Sequence, residues 1–119
     1  MSHADIQKMN STEVMSAVTI FNQVVYLSGQ VPKITEPDIE AQTKDVLATI
    51  DTLLAQAGTD KSRLLSAQIF VKNLEDFPQI NAIWVEWMKG CVPPSRATIQ
   101  ADLVNPAWLI EIAVTAAQA

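Results

Sequence analysis

The feature that most constrains this chain is a helix that can bury only one side. Ile39, Thr43, Val46, Leu47, Ile50, Leu53, Leu54 and Ala57 recur at steps of three and four, which puts them in one stripe of an α-helix. Thr35-Glu36-Pro37-Asp38 opens it with a capping hydroxyl, acids and an early proline, and Gly58 closes it. A one-striped helix of this length needs a flat apolar partner. The flanking runs supply it: Val18-Thr19-Ile20-Phe21 and Val24-Val25-Tyr26-Leu27-Ser28, separated by Asn22-Gln23, carry a hairpin signal.

Leu65 to Lys72 alternates, with Ala67, Ile69 and Val71 on one face and Ser66, Gln68 and Phe70 on the other. Asn73-Leu74-Glu75-Asp76 starts a second helix that carries Phe77, Ile80, Ile83, Trp84, Trp87 and Met88 on its buried side and ends at Gly90. Ser95 to Leu103 and Leu109 to Ala116 read as two more strands joined by a turn. The order β-β-α-β-α-β-β predicts an α+β fold, a mixed sheet with both helices on one face. Residues 1–119 read as a single domain, with 1–13 a less ordered or edge segment. The sheet's other face is expected to hold Ser66, Gln68 and Phe70, then Arg96, Thr98 and Gln100, then Leu109, Glu111, Ala113 and Thr115. Such half-polar faces often meet a symmetry mate, so self-association is expected.

Composition removes several functions. With 8 basic and 13 acidic residues the net charge is −5, and Lys8, Lys33, Lys44, Lys61, Arg63, Lys72, Lys89 and Arg96 are scattered singly, so no nucleic-acid partner is expected. Cys91 is the only cysteine and His3 the only histidine, which excludes an internal disulfide and a Cys-based zinc site; no metal site is expected. The start, MSHADIQKMN, lacks the apolar core of a signal peptide, and no run reaches membrane-spanning length. A cytoplasmic protein without membrane contact is therefore expected. Trp84 and Trp87 read as packing residues, and Trp108 as an interface or turn-packing residue.

Two charges in the last strands stand out. Parity places Arg96, Thr98 and Gln100 on one face, and Glu111 in the run Leu109 to Val114 faces away from the helices. With a turn near Val104-Asn105, Glu111 would lie across from Thr98 and diagonal to Arg96, roughly 7–8 Å away. One reading is a structural salt bridge. The other is a site in which Arg96 grips a carboxylate and Glu111 orients water. Periodicity leaves both open.

Four segments, in order, resemble the RidA/YjgF family: Tyr26-Leu27-Ser28-Gly29-Gln30-Val31-Pro32; Ile69 to Phe77 with Ile80-Asn81-Ala82; Pro94-Ser95-Arg96-Ala97-Thr98; and Ile110-Glu111-Ile112. The ending "RATIQADLVNP" followed by "IEI" is similar to the YoaB-like branch. The resemblance implies a chorismate-mutase-like fold assembled as a homotrimer with clefts between subunits. It also implies cofactor-independent hydrolysis of reactive 2-enamine and 2-imine acids, such as 2-aminoacrylate and 2-iminobutanoate, to 2-keto acids and ammonia. Under it, Arg96 clamps the substrate carboxylate, Glu111 serves the attacking water, Ser28 and Gly29 line the cleft, and Asn81 lies near the subunit interface. Met15 falls where relatives often carry a pocket tyrosine, a loss that bears on substrate preference and rate, and Thr98 stands in for a usual cysteine whose contribution is mainly shape and backbone contact. A non-catalytic regulator that binds a 2-keto acid or amino acid is the alternative from another class, and the endoribonuclease or translation-inhibitor activity ascribed to some relatives is a weaker one.

Overall fold

The computed structural model describes residues 5–119; His3 lies outside them. The elements are β1 (Gln7–Ser11), β2 (Ser16–Phe21), β3 (Val24–Leu27), α1 (Ile39–Gln56), β4 (Leu64–Val71), α2 (Phe77–Trp87), β5 (Ser95–Gln100) and β6 (Ile110–Ala117), with short 3-10 turns at Lys61–Arg63 and Leu74–Asp76. They form the expected α+β fold: one six-stranded mixed sheet in the order β1-β2-β3-β6-β4-β5 and two helices. Only β4 and β5 run parallel; every other pair is antiparallel.

Local chemistry accounts for most boundaries. The β2–β3 hairpin turns through Asn22 and Gln23 at φ 51° and 65°, the left-handed pair that matches the twist of a two-residue loop. Helix α1 begins later than Thr35: Asp38 is the N-cap, and its carboxylate accepts from the Ala41 amide at 3.1 Å. An aspartate caps as well as a hydroxyl does, which leaves Thr35 and Pro37 outside the helix. At its far end Gly58, at φ 79°, turns the chain back. The N-terminal segment contains a true edge strand, β1, although its sequence QKMNS is almost wholly exposed. It is held by backbone pairing to β2, so side-chain alternation could not announce it.

One face of the sheet and the inner faces of both helices make the core, which includes Val18, Val25, Ile50, Leu54, Ile69, Ile80 and Ile112. Burying each such side chain is worth about 1.5–3 kcal/mol. The stripe read from the sequence is the one buried in α1. Among the described residues, no helix is long and apolar enough to cross a membrane.

The turn expected between the last two strands does not exist as a hairpin. Strand β5 follows α2 and lies parallel beside β4, with Arg96 paired to Ala67 and Thr98 to Ile69. Strand β6 passes to the other side of β4 and inserts between it and β3. The reason is burial. Ile110, Ile112, Val114 and Ala116 are all buried, and only a central position covers them. Strand β5 has no buried residue and belongs at an edge.

The connecting loop is tied down by one fully buried amide. Gln42 donates from Nε2 to the carbonyls of Glu36 (2.8 Å) and Ala107 (3.0 Å), while its Oε1 accepts from the Leu109 amide at 2.8 Å. Lys72 adds a bond from Nζ to the Pro106 carbonyl at 2.8 Å. Gln42→Leu is expected to leave buried backbone groups unpaired and to lower unfolding stability by about 2–4 kcal/mol, measured by urea denaturation; a loss below that of an ordinary surface substitution would contradict this role.

Candidate functional site

Register assigns the site residues to faces. Arg96, Thr98 and Gln100 pair with Ala67, Ile69 and Val71, which point into the core. Side chains paired across a ladder share a face, so Arg96 and Thr98 lie on the helix side. Glu111 pairs with Phe70, and Thr115 with Ser66; these lie on the open side, where the Ser66 and Thr115 hydroxyls meet at 2.6 Å. The expected common face for Arg96 and Glu111 is therefore overturned. Strand β4 stands between them, giving two strand spacings, about 9.5 Å, and their side chains leave opposite faces. An intrachain salt bridge between them is excluded by the same geometry.

The residues gather in two groups. In the first, Arg96 reaches from the edge strand to α2, and its Nη2 donates to Asn81 Oδ1 at 2.7 Å. Its guanidinium carbon lies 5.4 Å from the Trp84 ring centroid and 5.7 Å from that of Phe77. Phe77, Asn81 and Trp84 follow at steps of four and three, so one side of α2 presents all three. Arg96 is half-buried, yet among the described residues it has no carboxylate within salt-bridge distance. Thr98 is half-buried two residues further along β5. Asn81 thus holds the arginine.

In the second group, Glu111 lies against the segment Ser28-Gly29-Gln30. That segment is fixed to β6 by reciprocal bonds between Gln30 and Ile112, at 2.8 and 3.0 Å. A β-carbon on Gly29 would overlap Glu111 Oε2 and stand 2.9 Å from its Cδ; a residue without a side chain is what allows the carboxylate to lie there. The Ser28 amide donates to the Ala17 carbonyl at 2.9 Å, and Gln30 Nε2 donates to the Ser28 hydroxyl and carbonyl at 3.2 and 2.9 Å. Met15 precedes Ala17 by two residues, in the β1–β2 turn, and is exposed. Met15 therefore belongs to the end of the sheet where Ser28 and Gly29 sit.

The structure thus joins Arg96 with Asn81, and Glu111 with Ser28 and Gly29, but keeps the two groups apart within one chain. Trp84 packs in the core as its helical spacing predicts; that it and Phe77 also lie against Arg96 was signalled only by their spacing to Asn81. A separate groove of about 530 Å³ between the helices, lined by residues that include Leu47, Ile83 and Trp87, contains neither Arg96 nor Glu111. Among the described residues, no group of three or more His, Cys, Asp or Glu side chains is arranged to hold a metal ion.

With this geometry in view, the relatives are informative. The profile of the family described as Endoribonuclease L-PSP matches residues 6–118. The chain belongs to this family, known also as RidA/YjgF or RutC. A RutC family protein of Haemophilus influenzae is 45% identical over 112 residues, covering 93% of this chain and 97% of that protein. RutC family protein YoaB of Escherichia coli is 37% identical over 112 residues, covering 94% and 97%. The crystal structure of NMB1025, a YjgF family member from Neisseria meningitidis, superposes with a TM-score of 0.95 at 36% identity, over 99% of this chain and 98% of that one.

Gly29→Ala is expected to force Glu111 aside and to cost about 1–3 kcal/mol. Adding Glu111→Ala should recover most of that loss, giving a non-additive double-mutant cycle in thermal or chemical unfolding. Additive effects would show that the two residues do not press on one another.

Proposed function

We propose that this RidA/YjgF family protein is an enamine/imine deaminase that works in the cytoplasm, converting short 2-imino acids and their enamine tautomers to 2-keto acids and ammonia. The observation that carries the reading is Arg96: a half-buried cation oriented by a neutral amide and without a carboxylate partner among the described residues. A guanidinium presents five donors in a fixed fork. The bond to Asn81 uses one N–H of Nη2, which leaves a complete two-donor edge for a substrate carboxylate.

Glu111 would serve the water. A protonated imine is already electrophilic at C2, so the protein's task is to hold it and direct attack. As the water oxygen bonds to C2, the C=N double bond becomes a C–N single bond and Glu111 takes the water's proton. Glu111 passes that proton to nitrogen, the C–N bond breaks as ammonia leaves, and the remaining hydroxyl proton returns to the carboxylate as the keto group forms. An enamine substrate enters by first taking a proton from solvent at C3, as the C2–C3 double bond becomes single and the nitrogen lone pair forms the protonated imine. Every group required is a side chain or water, and Thr98, Ser28 and Met15 would line the pocket.

Because Arg96 and Glu111 leave opposite faces, we infer that each working site is shared: Arg96 from one copy and Glu111 from the next. A contact in which one surface meets a different one is heterologous and closes into a ring when its rotation divides a full turn, and a homotrimer is the assembly proposed. The open sheet face supports this, with Phe21, Tyr26 and Ile99 exposed upon it. These side chains stand on separate strands of that face, and a second copy laid across the sheet would cover them. RNA cleavage is disfavoured by charge, since the chain has 8 basic against 13 acidic residues and its cations form no stripe.

The direct test couples a threonine dehydratase or amino-acid oxidase to this protein and traps imine with semicarbazide. Wild type should deplete the trapped adduct. Arg96→Ala should lower kcat/KM by about 10²–10³-fold, and Glu111→Gln should lower kcat by about 10²–10⁴-fold while retaining 2-ketobutyrate binding. Keto-acid binding without turnover in wild type would replace the enzyme with the small-molecule-binding regulator. Native mass spectrometry should give three times the chain mass, and Tyr26→Asp should yield monomer with lost turnover; a fully active monomer would overturn the shared site.

A further inference from the structure

Arg96 rests on an aromatic cradle. Its guanidinium carbon lies over two rings of α2, Trp84 and Phe77, at 5.4 and 5.7 Å. Trp84 is 4% exposed and is itself held: its ring centroid is 5.4 Å from that of Trp87. The Trp87 indole Nε1 donates to Asp51 Oδ2 on α1 at 3.0 Å. The set therefore runs from α1 through two tryptophans to the arginine. Every member but Arg96 belongs to a helix, so the cradle is part of the rigid layer and not of a loop.

We propose that Phe77 and Trp84 are positioning residues for carboxylate recognition, acting through Arg96 by fixing its guanidinium and removing water from its flat faces. The inference rests on the carboxylate-binding reading of Arg96, though not on turnover. Asn81 supplies direction, because its single bond at 2.7 Å sets the rotation of the fork. The rings supply what a hydrogen-bond acceptor cannot. Their negative π-faces attract the cation without competing for its in-plane donors. A carboxylate on the site's own chain would hold Arg96 as firmly, but it would occupy the edge that the ligand needs. Neutral amide and π-face together keep the cation in place and its charge unspent. A half-buried guanidinium with fewer water contacts loses less on meeting an anion, so the cradle should act on affinity and leave the chemical step nearly unchanged.

Phe77 gives the cleaner test, since it is half-buried whereas Trp84 is part of the core. The dissociation constant of 2-ketobutyrate would be measured by calorimetry for wild type, Phe77→Leu and Phe77→Tyr, with unfolding midpoints recorded for each. Phe77→Leu is expected to weaken binding by about 5–20-fold, and Phe77→Tyr to stay within about twofold of wild type, because it restores the ring. In the imine assay the leucine variant should raise KM with kcat nearly constant. Equal affinity in wild type and a folded leucine variant would overturn the inference while leaving the deaminase reading intact. Tyrosine no better than leucine would likewise overturn it, by showing that shape and not the π-face matters. Absence of keto-acid binding in wild type would overturn both readings together.

Discussion

The layout depends on where the last strand goes. Strand β6 has four fully covered inward side chains, Ile110, Ile112, Val114 and Ala116, and it can cover them only between two neighbours. Insertion between β3 and β4 satisfies that demand and has two consequences. It displaces β5 to the sheet edge, where the polar Arg96, Thr98 and Gln100 can lie on the helix side without entering the sealed core. It also places Glu111 on the open face beside Gly29. The separation of cation and anion therefore follows from hydrophobic burial, and the site chemistry is arranged around it.

What surrounds Arg96 sets its chemistry. A half-buried cation left with aromatic carbon alone would lose hydration without full compensation, and a buried carboxylate partner would neutralise it at a desolvation cost that often consumes the gain. Asn81 takes a middle course. One charge-assisted bond is worth roughly 1.5–3 kcal/mol, enough to orient the fork, and an amide oxygen brings no net charge. The arginine keeps its formal charge and most of its donors. Glu111 is managed differently. It is positioned by a vacancy, since the missing side chain of Gly29 is the slot it occupies.

Much of this was legible in the chain, for identifiable reasons. The α1 stripe, the Asn22-Gln23 hairpin, the alternation of Ala67, Ile69 and Val71, and the parity of Glu111 are local patterns, and the structure reproduces them. The partner of each strand is a different kind of information. Nothing between Gln100 and Ile110 distinguishes a tight hairpin from a loop that steps over a strand, because the deciding bonds come from Gln42, far away in sequence. That single topological fact reversed the face of Arg96, Thr98 and Gln100. Strand β1 escaped for the opposite reason, as a segment held by backbone bonds leaves little trace in side-chain pattern. The contact of Phe77 and Trp84 with Arg96 was hidden because an aromatic at helical spacing packs into a core whether or not a cation rests on it.

The two groups of residues are each incomplete in the same way. Arg96 has two aromatic rings and one amide against it and a donor edge that the amide does not use, while Glu111 lies against Gly29 with the rest of the open sheet beside it. Electrostatic work on a small substrate strengthens as water leaves, so neither group alone gives the environment that imine hydrolysis calls for on the proposed reading. Within one copy the two groups cannot supply each other's missing walls, because the sheet lies between them. Those walls can come from a second copy whose edge, with Arg96, meets the first copy's open face, with Glu111. Such a contact uses unlike surfaces, leaves one of each unsatisfied on a pair, and is satisfied everywhere only when the chain of copies closes. Burial of the open face and completion of the site would then be one event, and the apolar residues exposed there would drive the assembly that brings the charges together.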